Sequence, residues 1–140
     1  MSGTNGYGAQ GDGTATPSTI YAYVPVAFYD DSATPVILSG ANRPKIRFVN
    51  DSRALNDANQ TYGTYYAIDT EGYLYCWGHN AYKQVGDGTT TNLHKALRIP
   101  KSKFNNEKVV WAAGGDIQYT TSYAITETGK LYAWGQNDNG

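Results

Sequence analysis

The amino-acid sequence predicts an all-β fold made of two antiparallel, blade-like repeats. The first observation is composition: 13 Tyr, 3 Trp and 16 Gly accompany a single Met among 140 residues. Aromatic residues favour strands and Gly favours tight turns, whereas strong helix formers are few. The second observation is an internal repeat. The third is that each copy of this repeat has the pattern of a β-hairpin.

The repeat is found by sliding the sequence against itself. Residues 64–80 (TYYAIDTEGYLYCWGHN) match residues 121–137 (TSYAITETGKLYAWGQN) at a constant offset of 57, with identity at ten of 17 positions. Such a match without gaps indicates two copies of one structural unit.

Each copy has the pattern of a hairpin. A short apolar run is followed by a polar turn ending in Gly72 or Gly129, and a second run carries Leu, Tyr and Trp. Along that second run, side chains of appreciable size fall on both faces of the predicted strand. We therefore expect this strand to be covered on both sides, as in stacked sheets.

A second repeated element follows the Trp-Gly pair. Residues 80–89 (NAYKQVGDGT) match residues 5–14 (NGYGAQGDGT) at an offset of 75. The Gly-Asp-Gly-Thr core predicts a turn, because Gly accepts unusual backbone angles and Asp hydrogen-bonds nearby amides. A calcium or phosphate loop is the alternative, but it needs further carboxylates or a following helix. The predicted structural residues of the repeat are Trp77, Gly78, Trp134, Gly135, Gly86, Asp87, Gly88, Gly11, Asp12 and Gly13.

Taken together, these motifs resemble the repeat of the regulator of chromosome condensation family. They run in the order Ala-Ile, polar turn with Gly, Leu-Tyr-x-Trp-Gly-x-Asn, and Tyr-x-Gln-x-Gly-Asp-Gly-Thr. Residues 109–115 (VVWAAGG) look like the family's strand before the hairpin, and residues 45–50 (KIRFVN) are their weaker counterpart. The resemblance implies four-stranded blades, commonly seven to a closed β-propeller, of which this chain holds two. Thr64 and Thr121 depart from the family, which usually has His there.

The repeat also predicts how the chain is divided. Residues 1–77 form a first blade repeat with long insertions, and residues 78–140 form a second that ends in the start of a third. The insertions, at 28–44 and 50–62, are the loops that we expect to carry specific contacts, because long loops on a rigid scaffold often bind partners.

Composition and motif search favour a protein that is not an enzyme. With a net charge of −1 and 16% charged residues, the chain lacks a basic field for nucleic acid, and it has no apolar stretch for a membrane span. His79 and His94 have no metal-ligand spacing, and the paired carboxylates lie in a polar loop at residues 30–31 and in a hairpin turn at residues 69–71, where solvated acids are ordinary. We expect no cofactor and no metal, and we expect Cys76 to be a packed side chain.

The sequence thus predicts a module for protein-protein interaction or structural assembly. Both chain ends lie within the same repeated motif, and two blades do not close a ring. The protein partners are therefore either copies of the chain or the rest of a larger propeller. Low charge with abundant Tyr, Thr, Asn and Gly favours a virus or phage particle or an extracellular fibre. The alternative is a regulatory propeller, such as a guanine-nucleotide exchange factor for a small GTPase, the role known for the founding member of the family.

Overall fold

The structure is a computed structural model that describes residues 3–4, 9–14, 19–20, 25–55, 61–115 and 121–137. Short 3-10 helices span Gly40–Asn42 and Lys101–Phe104. The strands in chain order are β1 (Gly3–Thr4), β2 (Thr19–Ile20), β3 (Phe28–Tyr29), β4 (Ile46–Leu55), β5 (Thr61–Asp69), β6 (Leu74–Gly78), β7 (Leu93–Ile99), β8 (Val109–Gly114), β9 (Thr121–Thr126) and β10 (Leu131–Gly135).

These strands form three sheets. The first sheet has the order β3-β7-β6-β5-β4, the second sheet has the order β10-β9-β8, and β1 pairs with β2. Every neighbouring pair is antiparallel except β3 and β7. The predicted class, all-β with antiparallel blade-like sheets, is confirmed.

The two predicted hairpins are β5–β6 and β9–β10, and they have the same register. Ile68 pairs with Leu74 in the first, and Ile125 pairs with Leu131 in the second. The first sheet contains β3, β4, β5 and β6 from the predicted first repeat, and β7 from the predicted second repeat. The boundaries of the sequence repeat therefore differ from those of the sheet. The division into 1–77 and 78–140 therefore concerns the sequence repeat and stays a prediction.

A core of buried side chains joins the first sheet to the second. One face of the β5–β6 hairpin packs against strands β8 and β9, and Val85 of the β6–β7 turn and Phe104 of the second 3-10 helix fill the space between them. The buried members are Tyr66, Ile68, Leu74, Cys76, Val85, Ile99, Phe104, Val109, Ala112 and Ala124. Burial raises the pKa of the Cys76 thiol well above its ordinary value. The cysteine thus lies between the sheets as a packed side chain.

The opposite face of the first sheet is covered by the N-terminal part of the chain. Its buried members are Phe28, Tyr65, Ala67, Tyr75, Trp77 and Ala96, with Ala9, Val26, Leu38, Ile46, Tyr73 and Leu93 packed against them. Strand β6 is therefore covered on both faces, as expected. A second sheet covers one face, and residues 9–11 and 26–38 help to cover the other.

The prediction that residues 50–62 form an inserted loop is wrong. Residues 51–55 continue β4 and residues 61–62 begin β5, in a ladder that runs from Asp51 and Tyr65 to Leu55 and Thr61. The extra material therefore lengthens a hairpin, whose residues 56–60 lie outside the described part of the chain. The other insertion, 28–44, contains β3, the first 3-10 helix and a loop in which Asp30 Oδ1 accepts a hydrogen bond from Val36 N at 3.0 Å.

The expectation that Asp69 is a solvated acid is also wrong. Its side chain is buried, and Oδ1 accepts hydrogen bonds from the backbone N–H groups of Glu71 and Tyr73, both at 2.9 Å. Oδ2 accepts a hydrogen bond from the Tyr75 hydroxyl at 3.1 Å. The carboxylate shapes the turn from within, because it satisfies amides that the tight turn leaves without a backbone partner.

A buried hydroxyl pair links the sheets through polar atoms. Tyr66 Oη and Ser122 Oγ are 2.7 Å apart, and Ser122 Oγ donates to the backbone oxygen of Gln84 at 2.7 Å. Burial raises the pKa of the Tyr66 phenol, which stays protonated.

We predict that Tyr66→Phe lowers the free energy of unfolding by about 1–2 kcal/mol, because it removes a buried hydrogen bond. Tyr123→Phe is the matched control: Tyr123 occupies the same repeat position but is 36% exposed, so its effect should stay within about 0.5 kcal/mol. Urea unfolding of both variants provides the measurement. Equal losses would show that the link between the sheets contributes no stability.

Candidate interaction site at the repeat seams

Each repeat Trp is fixed by a backbone carbonyl of the preceding turn. Trp134 Nε1 donates to the backbone oxygen of Gln84 at 2.9 Å, and Trp77 Nε1 donates to that of Ala9 at 3.1 Å. Gln84 and Ala9 are related by the offset of 75 found in the sequence. The same bond therefore occurs twice, and each instance joins one repeat to the next.

A glycine in the turn lets its backbone approach the indole. A Cβ on Gly86 would lie 2.8 Å from Trp134 Nε1, and a Cβ on Gly11 would lie 3.0 Å from Trp77 Nε1. Both glycines have positive φ, +85° and +64°. These positions combine a left-handed backbone with a contact that leaves no room for a side chain.

The aspartates of the Gly-Asp-Gly-Thr turns bind their own turn. Asp87 accepts hydrogen bonds from the N–H and hydroxyl of Thr89, at 2.9 and 2.8 Å. Asp12 Oδ1 accepts the equivalent pair from Thr14, at 2.9 and 2.8 Å. Gly13 and Gly88, which follow the aspartates, both have positive φ. This geometry is that of the predicted turn, with local donors on the carboxylate oxygens.

The Trp-Gly pairs end the second strand of each hairpin. Gly78 and Gly135 have φ of +100° and +114°, a conformation that turns the chain away from the strand direction. Trp77 lies almost fully buried and stacks on Tyr65, with ring centroids 5.6 Å apart. The repeat residues singled out in the sequence therefore lie together at two seams, one around Trp77 and one around Trp134.

Sequence reasoning missed Asn80 as the residue that organises the turn. Asn80 is fully buried, and its Oδ1 accepts a hydrogen bond from Val85 N at 2.9 Å. Its Nδ2 donates to Asp87 Oδ1 at 3.1 Å and to the backbone oxygen of Thr91 at 3.0 Å. The signal was present, because Asn80 is one of the identities of the repeat.

Two phenylalanines were also missed. Phe104 contacts Tyr132 edge-on, with centroids 5.3 Å apart and an interplanar angle of 84°. Phe28 contacts Tyr75 in the same way, at 5.1 Å and 83°. Phe28 lies three residues after a proline and Phe104 lies four residues after one. Because these two distances differ, a comparison of the sequence with itself without gaps does not align the two phenylalanines.

One face of the second sheet is apolar and exposed. We call it the open face and define it as Trp111, Tyr123, Ile125, Leu131 and Ala133. Leu131 is 66% exposed, whereas its repeat equivalent in the first sheet, Leu74, is 1% exposed. The same residue types that bury themselves between the sheets are thus presented to solvent here.

The open face has the apolar character of an interaction surface. Trp111 and Tyr123 are 38% and 36% exposed. They share this face with Leu131, because the ladder pairs Trp111 with Ile125, and Ile125 with Leu131. Contiguous apolar patches of this kind mark interaction sites.

The titratable residues considered for catalysis make contacts that stabilise the fold. The Nδ1 atom of His79 is 2.8 Å from Gln84 Nε2, and burial lowers the pKa of this imidazole. His94 lies on β7, where its backbone oxygen accepts a hydrogen bond from Gly13 N at 2.8 Å. Asp31 forms an ion pair with Arg98 at 2.5 Å. Among the described residues, no group of three His, Cys, Asp or Glu side chains could hold a metal ion.

No helix within the described residues is both long and apolar enough to cross a bilayer.

Antiparallel sheets that stack face to face and are joined by a Trp at each seam define a repeat protein of the β-propeller class. The regulator of chromosome condensation (RCC1) repeat matches residues 71–117, and a second model of that repeat matches residues 119–140. The chain belongs to the regulator of chromosome condensation repeat family, so the resemblance found in the sequence is confirmed.

Relatives of the chain have diverse names. It is 30% identical over 74 residues to the E3 ubiquitin-protein ligase HERC2 of Homo sapiens, and this match covers 53% of this chain and 1% of that protein. It is 38% identical over 72 residues to Ras guanine nucleotide exchange factor C of Dictyostelium discoideum, 51% of this chain and 5% of that protein. It is 34% identical over 74 residues to the ultraviolet-B receptor UVR8 of Arabidopsis thaliana, 53% of this chain and 16% of that protein.

A solved structure agrees with the fold. The crystal structure of human WBSCR16 superposes with a TM-score of 0.61 at 20% identity, covering 99% of this chain and 30% of that one. The chain thus spans less than a third of that structure and a smaller share of the three curated relatives. What these relatives have in common with it is the propeller repeat, a module for binding or regulation.

We predict that Gly86→Ala destabilises the chain more than Gly88→Ala. Both glycines have similar positive φ, +85° and +91°, so each Ala should cost about 1–2 kcal/mol of backbone strain. Only Gly86 faces an indole, whereas a Cβ on Gly88 meets nothing within 4 Å. Displacing Trp134 should cost about 1–3 kcal/mol more. Urea unfolding followed by Trp fluorescence measures both, and equal losses would contradict the close approach at the seam.

Proposed function

We propose that this chain is a non-enzymatic module for protein-protein interaction, and that its open face binds another sheet of the same repeat type. The observation that carries the proposal is the different burial of equivalent residues. Tyr66 and Leu74 are buried where the second sheet covers them, whereas Tyr123 and Leu131 are exposed. The open face repeats residue types with which the equivalent face of the first sheet binds the second sheet, so it has the chemistry to bind another sheet.

The energetics support a stable contact. A large apolar side chain contributes about 1.5–3 kcal/mol when it is fully buried. Leu131 is 66% exposed and Trp111 and Tyr123 are 38% and 36% exposed, so covering all three offers about 2–4 kcal/mol. These residues lie on regular strands, so little conformational entropy is lost when a partner covers them.

The setting of the module follows from composition. Low charge and abundant Tyr, Thr, Asn and Gly favour a virus or phage particle or an extracellular fibre, where many neutral hydrogen bonds hold proteins together. In either setting the partner is a copy of the chain or the rest of a larger propeller.

Photo-crosslinking tests the proposal. A photoreactive amino acid at position 131 should give adducts with proteins that present a sheet of this repeat type, whereas one at Thr90, exposed in the connecting turn, should not. Mass spectrometry of the adducts identifies the partner and the contact residues. Equal adduct yields at both positions, or a partner without such a sheet, would contradict the proposal.

Charge on the open face should abolish the interaction without unfolding the chain. We predict that Leu131→Asp removes the adducts of a photoreactive residue placed at Tyr123, while the free energy of unfolding changes by about 0.5 kcal/mol or less. Leu74→Asp is the matched control at the same repeat position, and it should unfold the chain because it buries a charge between the sheets. Persistence of the adducts in Leu131→Asp would contradict a role for this face.

A guanine-nucleotide exchange factor for a small GTPase is the second candidate, favoured by the 38% identity to a protein named as a Ras guanine nucleotide exchange factor. The assay is release of a fluorescent guanine nucleotide from Ras-family GTPases in the presence of the chain. Under our proposal, the release rate is unchanged. Acceleration that is lost when residues 39–43, an exposed part of the 28–44 insertion, are replaced would favour the exchange role instead.

A further inference from the structure

The basic residues of the chain are concentrated at one end of its sheets. Strands β4, β6, β8 and β10 begin at this end, and β5, β7 and β9 finish there. We call it the basic end and define it as residues 39–47, 69–74, 98–109 and 126–130. It contains eight of the 11 Lys and Arg residues of the chain, so the net charge of −1 conceals an uneven distribution of charge.

Hydrogen bonds between turns join the basic end of the first sheet to that of the second. Thr70 N donates to Lys45 O at 2.9 Å, and Val109 N donates to Gly72 O at 3.0 Å. The β5–β6 turn therefore lies at the centre of the basic end. The loop before β4 is bonded to one side of this turn, and the connection before β8 is bonded to the other.

Most carboxylates near these cations are already bound within the chain. Asp69 is buried and accepts hydrogen bonds from its own turn. Glu107 forms an ion pair with Lys130 at 2.5 Å, and Asp31 forms one with Arg98. Among the described residues, the other six basic side chains of this end have no carboxylate as an ion-pair partner; they are Arg43, Lys45, Arg47, Lys101, Lys103 and Lys108. Their charge is available to a partner.

A cavity of about 330 Å³ opens beside these cations. It lies between residues 38–45 and the β5–β6 turn, and Leu38, Pro44 and Tyr73 give it apolar walls, while Arg43 and Lys45 supply positive charge. Pockets that hold an apolar anchor, with complementary charges around them, are typical of protein interaction sites. The cavity therefore suits an apolar side chain that is flanked by carboxylates.

Tyr73 brings two more cations to the wall of this cavity. Lys101 Nζ lies 4.1 Å from the centroid of its ring, and the guanidinium carbon of Arg98 lies 4.7 Å from it. Such cation–π contacts hold a cation over an aromatic face. Lys101 Nζ also donates to the backbone oxygen of Glu71 at 2.8 Å, which keeps this charge beside the β5–β6 turn.

The pattern of charge favours a protein over a nucleic acid as the ligand. The side chains of Glu71 and Glu127 are exposed among the cations. A nucleic-acid backbone carries a negative charge at every phosphate and would be repelled by both carboxylates. A protein segment can instead place neutral groups or hydrogen-bond donors opposite them.

We propose that the basic end binds an acidic segment of a partner protein, with carboxylates against Arg43, Lys45 and Lys108 and an apolar side chain in the cavity. This site goes beyond the proposed function, because it lies at the strand termini whereas the open face lies on the surface of a sheet. Its test is therefore independent of the crosslinking experiment at the open face.

Fluorescence anisotropy with synthetic peptides tests the inference on the whole 140-residue chain. The probe is a fluorescein-labelled peptide of three Glu-Ser-Asp-Leu units. One control peptide has Gln and Asn in place of Glu and Asp, and a second has Ser in place of Leu. A labelled DNA duplex is the fourth ligand.

Two double variants remove the same amount of charge from different places. Lys45→Gln with Lys108→Gln changes the basic end, whereas Lys83→Gln with Lys95→Gln is the matched control outside it. All four lysines lie among the described residues, and Lys45, Lys83 and Lys108 are exposed. Urea unfolding shows that both variants are folded.

The acidic peptide should bind the wild-type chain, and added salt should weaken this binding because the charges are exposed. Loss of Lys45 and Lys108 should weaken binding about 2- to 30-fold, the range that two exposed ion pairs provide. The Lys83 and Lys95 variant should bind as the wild type does. Both control peptides should bind more weakly than the acidic peptide.

Four results would overturn the inference. The first is an acidic peptide that binds no more tightly than its amide counterpart, and the second is an equal loss of binding in the two double variants. The third is a duplex that binds more tightly than the acidic peptide, which would identify a nucleic-acid surface. The fourth is a peptide with Ser in place of Leu that binds as tightly as the original, which would remove the cavity from the site.

Discussion

The hydrogen bond from a Trp indole to a turn carbonyl of the preceding repeat is the contact on which the rest of this structure depends. An indole N–H buried without an acceptor is costly, so the position of Trp134 is fixed by Gln84 O. That oxygen also accepts from Ser122, on the central strand of the second sheet. One carbonyl therefore holds both the second and the third strand of a sheet against the turn before it.

The turn can serve as this acceptor only because other residues shape it. Asn80 bonds to both sides of the connection, which places the carbonyl at Gln84. Gly86 leaves space for the indole, and Phe104 packs against it with centroids 6.0 Å apart. The seam is thus an arrangement of neutral hydrogen bonds and aromatic contacts, consistent with a chain of low charge.

The sequence predicts well whatever is repeated and local. The hairpin turns at Gly72 and Gly129, the strands that flank them and the turn made by Asp87 all follow from short-range patterns. It predicts poorly which groups touch across the seam, because identical residues at two positions say nothing about their neighbours. Tyr66 and Tyr123 show this: one is fully buried and the other is 36% exposed. Asp69 was misread for the same reason, since a carboxylate in a turn is buried or solvated according to what packs above it.

The core between the sheets has a consequence for how the chain unfolds. Val85 lies in the turn between β6 and β7, and Phe104 lies in the connection between the sheets; both pack with residues of the two sheets. The second sheet therefore shares its core with the first, and the two should melt as one cooperative unit. In a nearest-neighbour description of repeat proteins, most of the stability lies in the coupling term and little in each repeat alone. In the described part of the chain, this coupling keeps the equivalent apolar face of the first sheet covered, so the folded chain displays one such face where two uncoupled sheets would display two.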